Sequence, residues 1–298
     1  MIHLIGLDTD PTLVWFARRA VAAGHHVKLV NLRAVTRQPW RVELDASSDR
    51  ALFHNGPGRP LPLSAQGGYY VRLIDLSPVL PAAERGRWRH LIGALAAYLD
   101  GVRGPVVNRP GGQLQNGAKP LHEWWLSHRG LRVPASLTSS DPARIAGFMD
   151  RHGPVVLKAV CGTRGRARLV TAGQLAGFAP AAGPVHLQQW VDGYDVRVHL
   201  VDGEPFAERI DTDAVDYREP DARSRHRPAA VPEELRAAMG QAAKEMDLRF
   251  TGWDFRVDRA GRWWCLEANP MPGYHGYDRR CGGAITRALC RLLAPDEG

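Results

Sequence analysis

At 298 residues the chain is long enough to bury a large core and to divide into two or three lobes. Hydrophobic residues make up 44% of it and charged residues 23%, which excludes a disordered or low-complexity protein, and no apolar run is long enough to span a bilayer. The formal net charge is +8, but lysine stands only at Lys28, Lys119, Lys158 and Lys244, and the arginines are dispersed apart from the stretch Arg218 to Arg227. Nucleic-acid binding is therefore not expected, and anionic small molecules such as nucleotides are compatible with the charge.

Met1-Ile2-His3-Leu4-Ile5 leads into an acidic loop without a basic or cleavage-site signal, so no export is expected. Cys161, Cys265, Cys281 and Cys290 lack paired metal spacing, which predicts reduced thiols and a cytoplasmic protein. Ile2 to Leu7 predicts a first strand. Asp10-Pro11 then opens a helix, with Asp as N-cap and Pro at the first helical position. Its apolar stripe is Leu13, Phe16, Ala17, Ala20 and Val21, and Gly24 ends it. His26 to Leu32 is a second strand, giving a βαβ opening of an open α/β domain. The turn Gly6-Leu7-Asp8-Thr9-Asp10 has no glycine fingerprint and puts acids where a pyrophosphate would sit, which argues against a dinucleotide fold. Arg41 to Ala65 is rich in turn residues and carries no assignment. Tyr69 to Leu73 predicts a strand with Arg72 near its end, Arg85 to Leu99 a helix, and Pro105 to Pro110 a buried strand that breaks at Gly111-Gly112.

Beyond Asn116 the pattern changes. Lys119-Pro120 opens a helix carrying Leu121, Trp124, Trp125 and Leu126, and Asp141-Pro142 caps another. Pro154 to Val160 is a buried-type strand containing one lysine, Lys158. Such a lysine either reaches out from an edge strand to water or is aimed at a phosphate. The loop Cys161 to Arg166 follows, and Pro180 to Pro184 predicts a hinge. Val185 to Val191 is a strand, and Asp195 to Val201 pairs with Pro205 to Ile210 through the turn Asp202-Gly203. Tyr217 to Pro228 predicts a mobile loop, Pro232 to Asp247 an amphipathic helix and Gly282 to Leu293 a closing helix.

Between those helices lies a hairpin, Gly252 to Val257 and Arg262 to Pro270, joined by Asp258 to Gly261. With that loop, Val257 faces Arg262, Phe255 faces Trp264 and Trp253 faces Leu266, forming an apolar face. The period of two then puts Asp254, Glu267 and Asn269 on the other face, with Glu267 across from Gly252 and diagonal to Asp254. Two carboxylates and an amide oxygen beside apolar walls favour a cation, and an all-oxygen set suits Mg²⁺. The alternative is a polar face that is simply wet.

The order Lys119, Val156-Leu157-Lys158 with its glycine-containing loop, Leu187 to Val191, Asp195 to Val198, Gly252-Trp253-Asp254 and Leu266 to Pro270 resembles the ATP-grasp ligases, in particular the RimK-like and glutathione-synthetase-like group. The resemblance runs from about Asn108 to Leu293. It implies an α/β (α+β grasp) fold with three parts: an N-terminal open α/β domain over 1–110, a small lid subdomain over 111–183, and a larger C-terminal subdomain over 184–298 with the metal site. It implies ATP and two Mg²⁺ ions as cofactors, Mn²⁺ being able to substitute.

By the same resemblance Lys119 and Lys158 contact ATP phosphates, Gly162 and Gly165 belong to the closing loop, and Gln188, Gln189, Trp190 and Val191 form the adenine hinge. Asp195 sits near the ribose. Asp254, Glu267 and Asn269 hold the metal. Arg209, with Lys158, acts on the transferred phosphate or acyl group. Arg72, Arg197 and His275 fall on the substrate side, although His275 also reads as a plain loop residue. The arginines at 164 and 166 depart from the small residues common in that loop. The implied activity is an ADP-forming carboxylate–amine ligase acting through an acyl phosphate on a small molecule or amino acid. The alternatives are a ligase that crosslinks a ribosomal peptide and a non-catalytic nucleotide-binding protein. Its partners are then ATP, a carboxylate-bearing substrate and a nucleophile, with no membrane; a homodimer is compatible with the sequence.

Overall fold

Asp10 caps the first helix as its place before Pro11 requires: its carboxylate accepts from the backbone N–H of Thr12 at 2.9 Å and of Leu13 at 3.4 Å. The helix Pro11–Ala22 buries Leu13, Phe16 and Ala20, whereas Val21, expected on the same stripe, is exposed. The computed structural model describes residues 1–33, 40–44, 50–55, 60–112, 116–160, 167–175, 183–219 and 222–294. They fall into two compact units, one formed by Met1–Leu114, Lys244–Phe250 and Pro270–Gly298, the other by Gln115–Ala243 and Thr251–Asn269. No helix among the described residues is long and apolar enough to cross a membrane.

The first unit is built on a four-stranded parallel sheet in the order Val27–Asn31, Ile2–Gly6, Gly68–Val71, Val106–Val107. The helix Ala82–Gly101 turns Trp88, Leu91, Leu95 and Leu99 inward at helical spacing. They join Ile5, Val30, Tyr69 and Val71 of the sheet in one apolar core. The turn-rich stretch left unassigned in the sequence contributes an antiparallel meander, Trp40–Leu44, Arg50–Asn55 and Leu61–Ser64, whose Ala51, Phe53 and Leu63 enter that core. The closing helix is Ala284–Leu293. It approaches the sheet so closely that a side chain at Gly68 would put Cβ 1.8 Å from the Leu293 carbonyl oxygen.

The chain ends of this unit are joined by buried polar groups. Asn108 donates from Nδ2 to the carbonyls of Phe250 (2.5 Å) and Pro270 (2.6 Å), and its Oδ1 accepts from the N–H groups of Arg249 and Phe250, both at 2.9 Å. Arg72 pairs with Asp10 at 2.5 Å and donates to the Pro272 carbonyl at 3.0 Å. Asp278 accepts from Trp15 at 2.7 Å and from the Thr286 hydroxyl at 2.6 Å.

The second unit contains two sheets. A four-stranded antiparallel sheet runs Arg168–Val170, Val155–Lys158, Val185–Gln189, Ser136–Ser139. The helix Pro142–His152, capped by Asp141, packs Ile145, Phe148 and Met149 into the core shared with Val155 and Leu187. The five-stranded sheet runs Ser224–Pro228, Glu204–Thr212, Gly193–Val201, Phe250–Asp258, Trp263–Asn269. Its first hairpin turns at Asp202 (φ 48°) and Gly203 (φ 88°), the left-handed pair that an Asp-Gly turn uses.

Replacing Asn108 by Ala strips partners from two carbonyls and two N–H groups. The expected loss is about 2–4 kcal/mol, read as a lower urea midpoint with an unchanged slope. A variant within about 0.5 kcal/mol of the parent contradicts this role.

Candidate nucleotide and metal site

Side chains from both sheets of the second unit line one cleft. On one side are Lys119, Lys158 and the strand end Gln188, Gln189, Trp190 and Val191; on the other are Asp195, Asp254 and Glu267. Nine of the positions singled out in the sequence thus meet in one place. Arg197 lies against Asp254, its Nη1 2.7 Å from Oδ2. Asn269 follows Glu267 by two residues on the same strand and pairs in register with Gly252. Arg209 is not among the lining residues; it pairs with Asp211 at 2.7 Å and lies 3.5 Å over the Tyr194 ring. Arg72 and His275 belong to the first unit, where Arg72 is buried against Asp10 and His275 Nδ1 lies 3.4 Å from the Thr12 hydroxyl. Gly162 and Gly165 fall outside the described residues.

The metal hairpin differs from expectation in register. Gly252 pairs with Asn269, Trp253 with Ala268 and Asp254 with Glu267. Beyond that the ladder slips, so that Phe255 pairs with Cys265, Arg256 with Trp264 and Val257 with Trp263. The irregularity between Asp254 and Phe255 leaves Leu266 as an extra residue, a β-bulge. Trp253, Phe255 and Val257 are buried as expected, but Leu266 turns to the cleft rather than to that face. The bulge sets Glu267 directly across from Asp254, closer than the diagonal placement read from simple alternation.

Each carboxylate already has cationic or polar partners. Asp254 receives Arg197 and, at 3.0 Å, the Tyr217 hydroxyl. Burial raises its proton affinity, and Arg197 and Arg218 outweigh that, holding the carboxyl below the usual range. Glu267 accepts from Asn116 at 3.0 Å and lies 3.8 Å from Lys119 Nζ. Among the described residues no cluster of three or more His, Cys, Asp and Glu side chains is arranged to hold a metal. The donor set here is two facing carboxylates, with Asn269 two residues beyond Glu267 on the same strand. That all-oxygen set, now neutralised by protein cations, fits a hard divalent ion.

Lys158 closes the strand Val155–Lys158 and donates to Gln188 Oε1 at 2.6 Å. Burial pulls its pKa down; Glu123, Glu267 and Asp254 oppose this, Lys119 adds to it, and the ammonium remains below the ordinary lysine value. Glu123 also lines the cleft, at a position that the sequence pattern does not mark. It stood on a helix identified by Leu121 and Trp124, yet those two are exposed and the inward face carries His122, Glu123 and Leu126. Arg256 was also missed. It donates to the Gly193 carbonyl at 2.6 Å and to both Asp195 oxygens at 3.3 Å, and its guanidinium lies 4.2 Å over Trp190. Asp216, Tyr217 and Arg218 line the cleft too, in a stretch read from sequence as a mobile loop, and Ser224–Pro228 is an edge strand.

No protein-family model matches the sequence, and no curated protein matches it. Solved structures do. The ATP-grasp ligase PsnB complexed with minimal precursor is 26% identical, with TM-score 0.80 over 98% of this chain and 98% of that one. A further PsnB structure holds minimal precursor, Mg and ADP. The macrocyclase MdnC bound with precursor peptide MdnA, from Microcystis aeruginosa MRC, is 16% identical, with TM-score 0.82 over 98% of this chain and 99% of that one. D-alanyl-alanine synthetase A from Vibrio cholerae is 15% identical, with TM-score 0.63 over 98% and 96% of the two chains.

Burial pushes the Asp195 carboxyl up to about 6, with Arg256 opposing and Asp254 adding to the rise. Between about pH 4 and pH 6 the folded chain therefore holds a proton that the unfolded chain has released. This group's contribution to stability is complete below the ordinary aspartate range and is lost as pH rises through about 6. Carboxyl NMR should place its midpoint there, and Arg256→Ala, which removes the opposing charge, should move it higher. A midpoint in the ordinary aspartate range would contradict the burial.

Proposed function

We propose that this chain, an ATP-grasp protein by fold, is an ATP-dependent, ADP-forming ligase that joins a carboxylate to a nucleophile on a precursor peptide. The observation that carries the reading is the meeting of Lys119 and Lys158 with the facing Asp254 and Glu267 in one cleft, in a chain that matches PsnB along its length. Among the solved structures compared, PsnB is nearer than the D-alanyl-alanine synthetase in both identity and TM-score. That ordering supports a peptide over the small molecule or amino acid that the sequence alone put first.

The chemistry follows from charge. A carboxylate oxygen attacks the terminal phosphorus of ATP, the bond to the ADP oxygen breaks, and an acyl phosphate results. The nucleophile then adds at the acyl carbon, phosphate leaves, and the nucleophile's proton is lost. Little of this requires a covalent protein intermediate; positioning and electrostatic stabilisation carry most of it. Lys119 and Lys158 bind and orient the phosphates. The strand end Gln188 to Val191 takes the adenine edge, and Arg256 steadies it by holding Trp190, Gly193 and Asp195 together. Asp254 and Glu267, with Asn269, are the residues that would hold Mg²⁺, which offsets phosphate charge when bound. Arg197 keeps Asp254 ionised for that role.

The test is ADP formation with Mg·ATP against precursor peptides encoded by neighbouring genes, free amino acids and dipeptides. Peptide-dependent ADP, with loss of one water from the peptide per bond, is expected. ADP formation driven by amino acids or dipeptides alone overturns the peptide reading, and none from any panel overturns the ligase reading. Asp254→Asn and Glu267→Gln should each lower turnover by about 100-fold or more with unchanged circular dichroism. Retained turnover removes that residue from the site.

A further inference from the structure

A second recess lies in the first unit, between the helices Pro11–Ala22 and Ala284–Leu293. It encloses about 600 Å³, the size of a ligand site. Buried Gly283, Thr286 and Cys290 form its floor, and Arg19, His25, Arg287 and Arg291 stand around it. Among the described residues that line it, none is acidic and none is Phe, Tyr or Trp. Arg19 Nη2 lies 3.5 Å and Arg287 Nη1 2.7 Å from the same acceptor, the Gly282 carbonyl oxygen. Arg19 also lies 5.9 Å over the Trp15 ring. Among the described residues neither guanidinium forms an ion pair. Asp278, the acid behind Thr286, is fully buried and already accepts from Trp15 and Thr286. Two like charges drawn to one carbonyl without a counterion repel, and an anion in the recess relieves that. Burial pushes the Cys290 thiol up to about 11, so the floor offers no nucleophile at neutral pH. The recess is built to bind rather than to react.

We propose that this recess binds an acidic peptide segment in extended form, as a site separate from the nucleotide and metal cleft. None of its residues lines that cleft, so the inference does not depend on the ligase reading. From Gly283 to Ala294 the lining follows its helix for three turns, about 16 Å, which matches about five residues of extended chain. Arg287 and Arg291 stand one turn apart, about 6 Å. Alternate side chains of an extended peptide are spaced by about 7 Å. Acids at every second position therefore meet successive arginines, and guanidinium pairs well with carboxylate in a two-pronged geometry. A lone phosphate engages only part of this row. Single-stranded nucleic acid lacks here the aromatic platform on which its bases stack.

The test is fluorescence anisotropy of the full chain with a labelled peptide of alternating glutamate and serine, against the matching peptide of glutamine and serine. The acidic peptide should bind saturably, about 10-fold or more tighter than the neutral one, and added salt should weaken it. Arg287→Glu combined with Arg291→Glu should lower that affinity about 10-fold or more, with calorimetric ADP binding unchanged. Ala22→Glu sets an acid at the recess without removing an arginine and should weaken the peptide in the same direction; it decides if the double variant does not fold. Equal affinity for the two peptides, or unaltered affinity in these variants, overturns the proposal. Tripolyphosphate or single-stranded RNA that binds more tightly than the peptide, and is weakened by the same variants, shows a phosphate site and also overturns it. Asp296 and Glu297 follow Ala294 directly in the sequence. Peptide binding that appears only after Asp296→Asn and Glu297→Gln assigns the recess to the chain's own acids and overturns a separate partner.

Discussion

Asp254 and Glu267 face each other on adjacent strands, and two carboxylates at that spacing in a half-buried cleft repel unless positive charge lies close by. Much of the cleft answers that constraint. Arg197, on the neighbouring strand of the same sheet, pairs with Asp254, and Lys119, at the first turn of its helix, lies near Glu267. The apolar face behind the hairpin, Trp253, Phe255 and Val257, is buried and anchors the strand that carries Asp254. A site that concentrates acid on one wall and lysine on the other is suited to a polyanion bridged by a divalent cation.

The opposite wall is ordered by a hydrogen-bonded chain rather than by apolar packing. Thr138, His186, Glu123, Gln188 and Lys158 follow one another, Glu123 from the helix Lys119–Ser127 and the others from the four-stranded sheet, and each link fixes the next side chain. Such a chain is favourable only when its members are satisfied. Here it holds a lysine whose charge burial disfavours. That makes Lys158 more than a snorkelling edge residue, the alternative that its strand context left open.

Local rules made much of this legible. Asp10 and Asp141 read as caps because each precedes a proline at the first helical turn. Asp202-Gly203 read as a turn because both residues must take positive φ. The alternation of Trp253, Phe255 and Val257 gave the buried face of the hairpin. Register did not follow from alternation, because one extra residue at Leu266 shifts the ladder by an amount no periodic pattern encodes. Glu123 was hidden for a related reason: Leu121 and Trp124 mark a helix but lie on its exposed side, so the polar residues beside them face inward. Its position four residues after Lys119 was the available signal. Arg256 was obscured because a cation between the buried Phe255 and Val257 reads as a surface residue until its partners on other elements are known.

The proposed reaction places phosphate on a carboxylate oxygen before a nucleophile displaces it. Isotope transfer tests this most directly. With ¹⁸O in the carboxylates of the precursor peptide, each bond formed should deliver one ¹⁸O atom to inorganic phosphate, alongside one ADP. Bond formation that releases unlabelled phosphate would contradict the account.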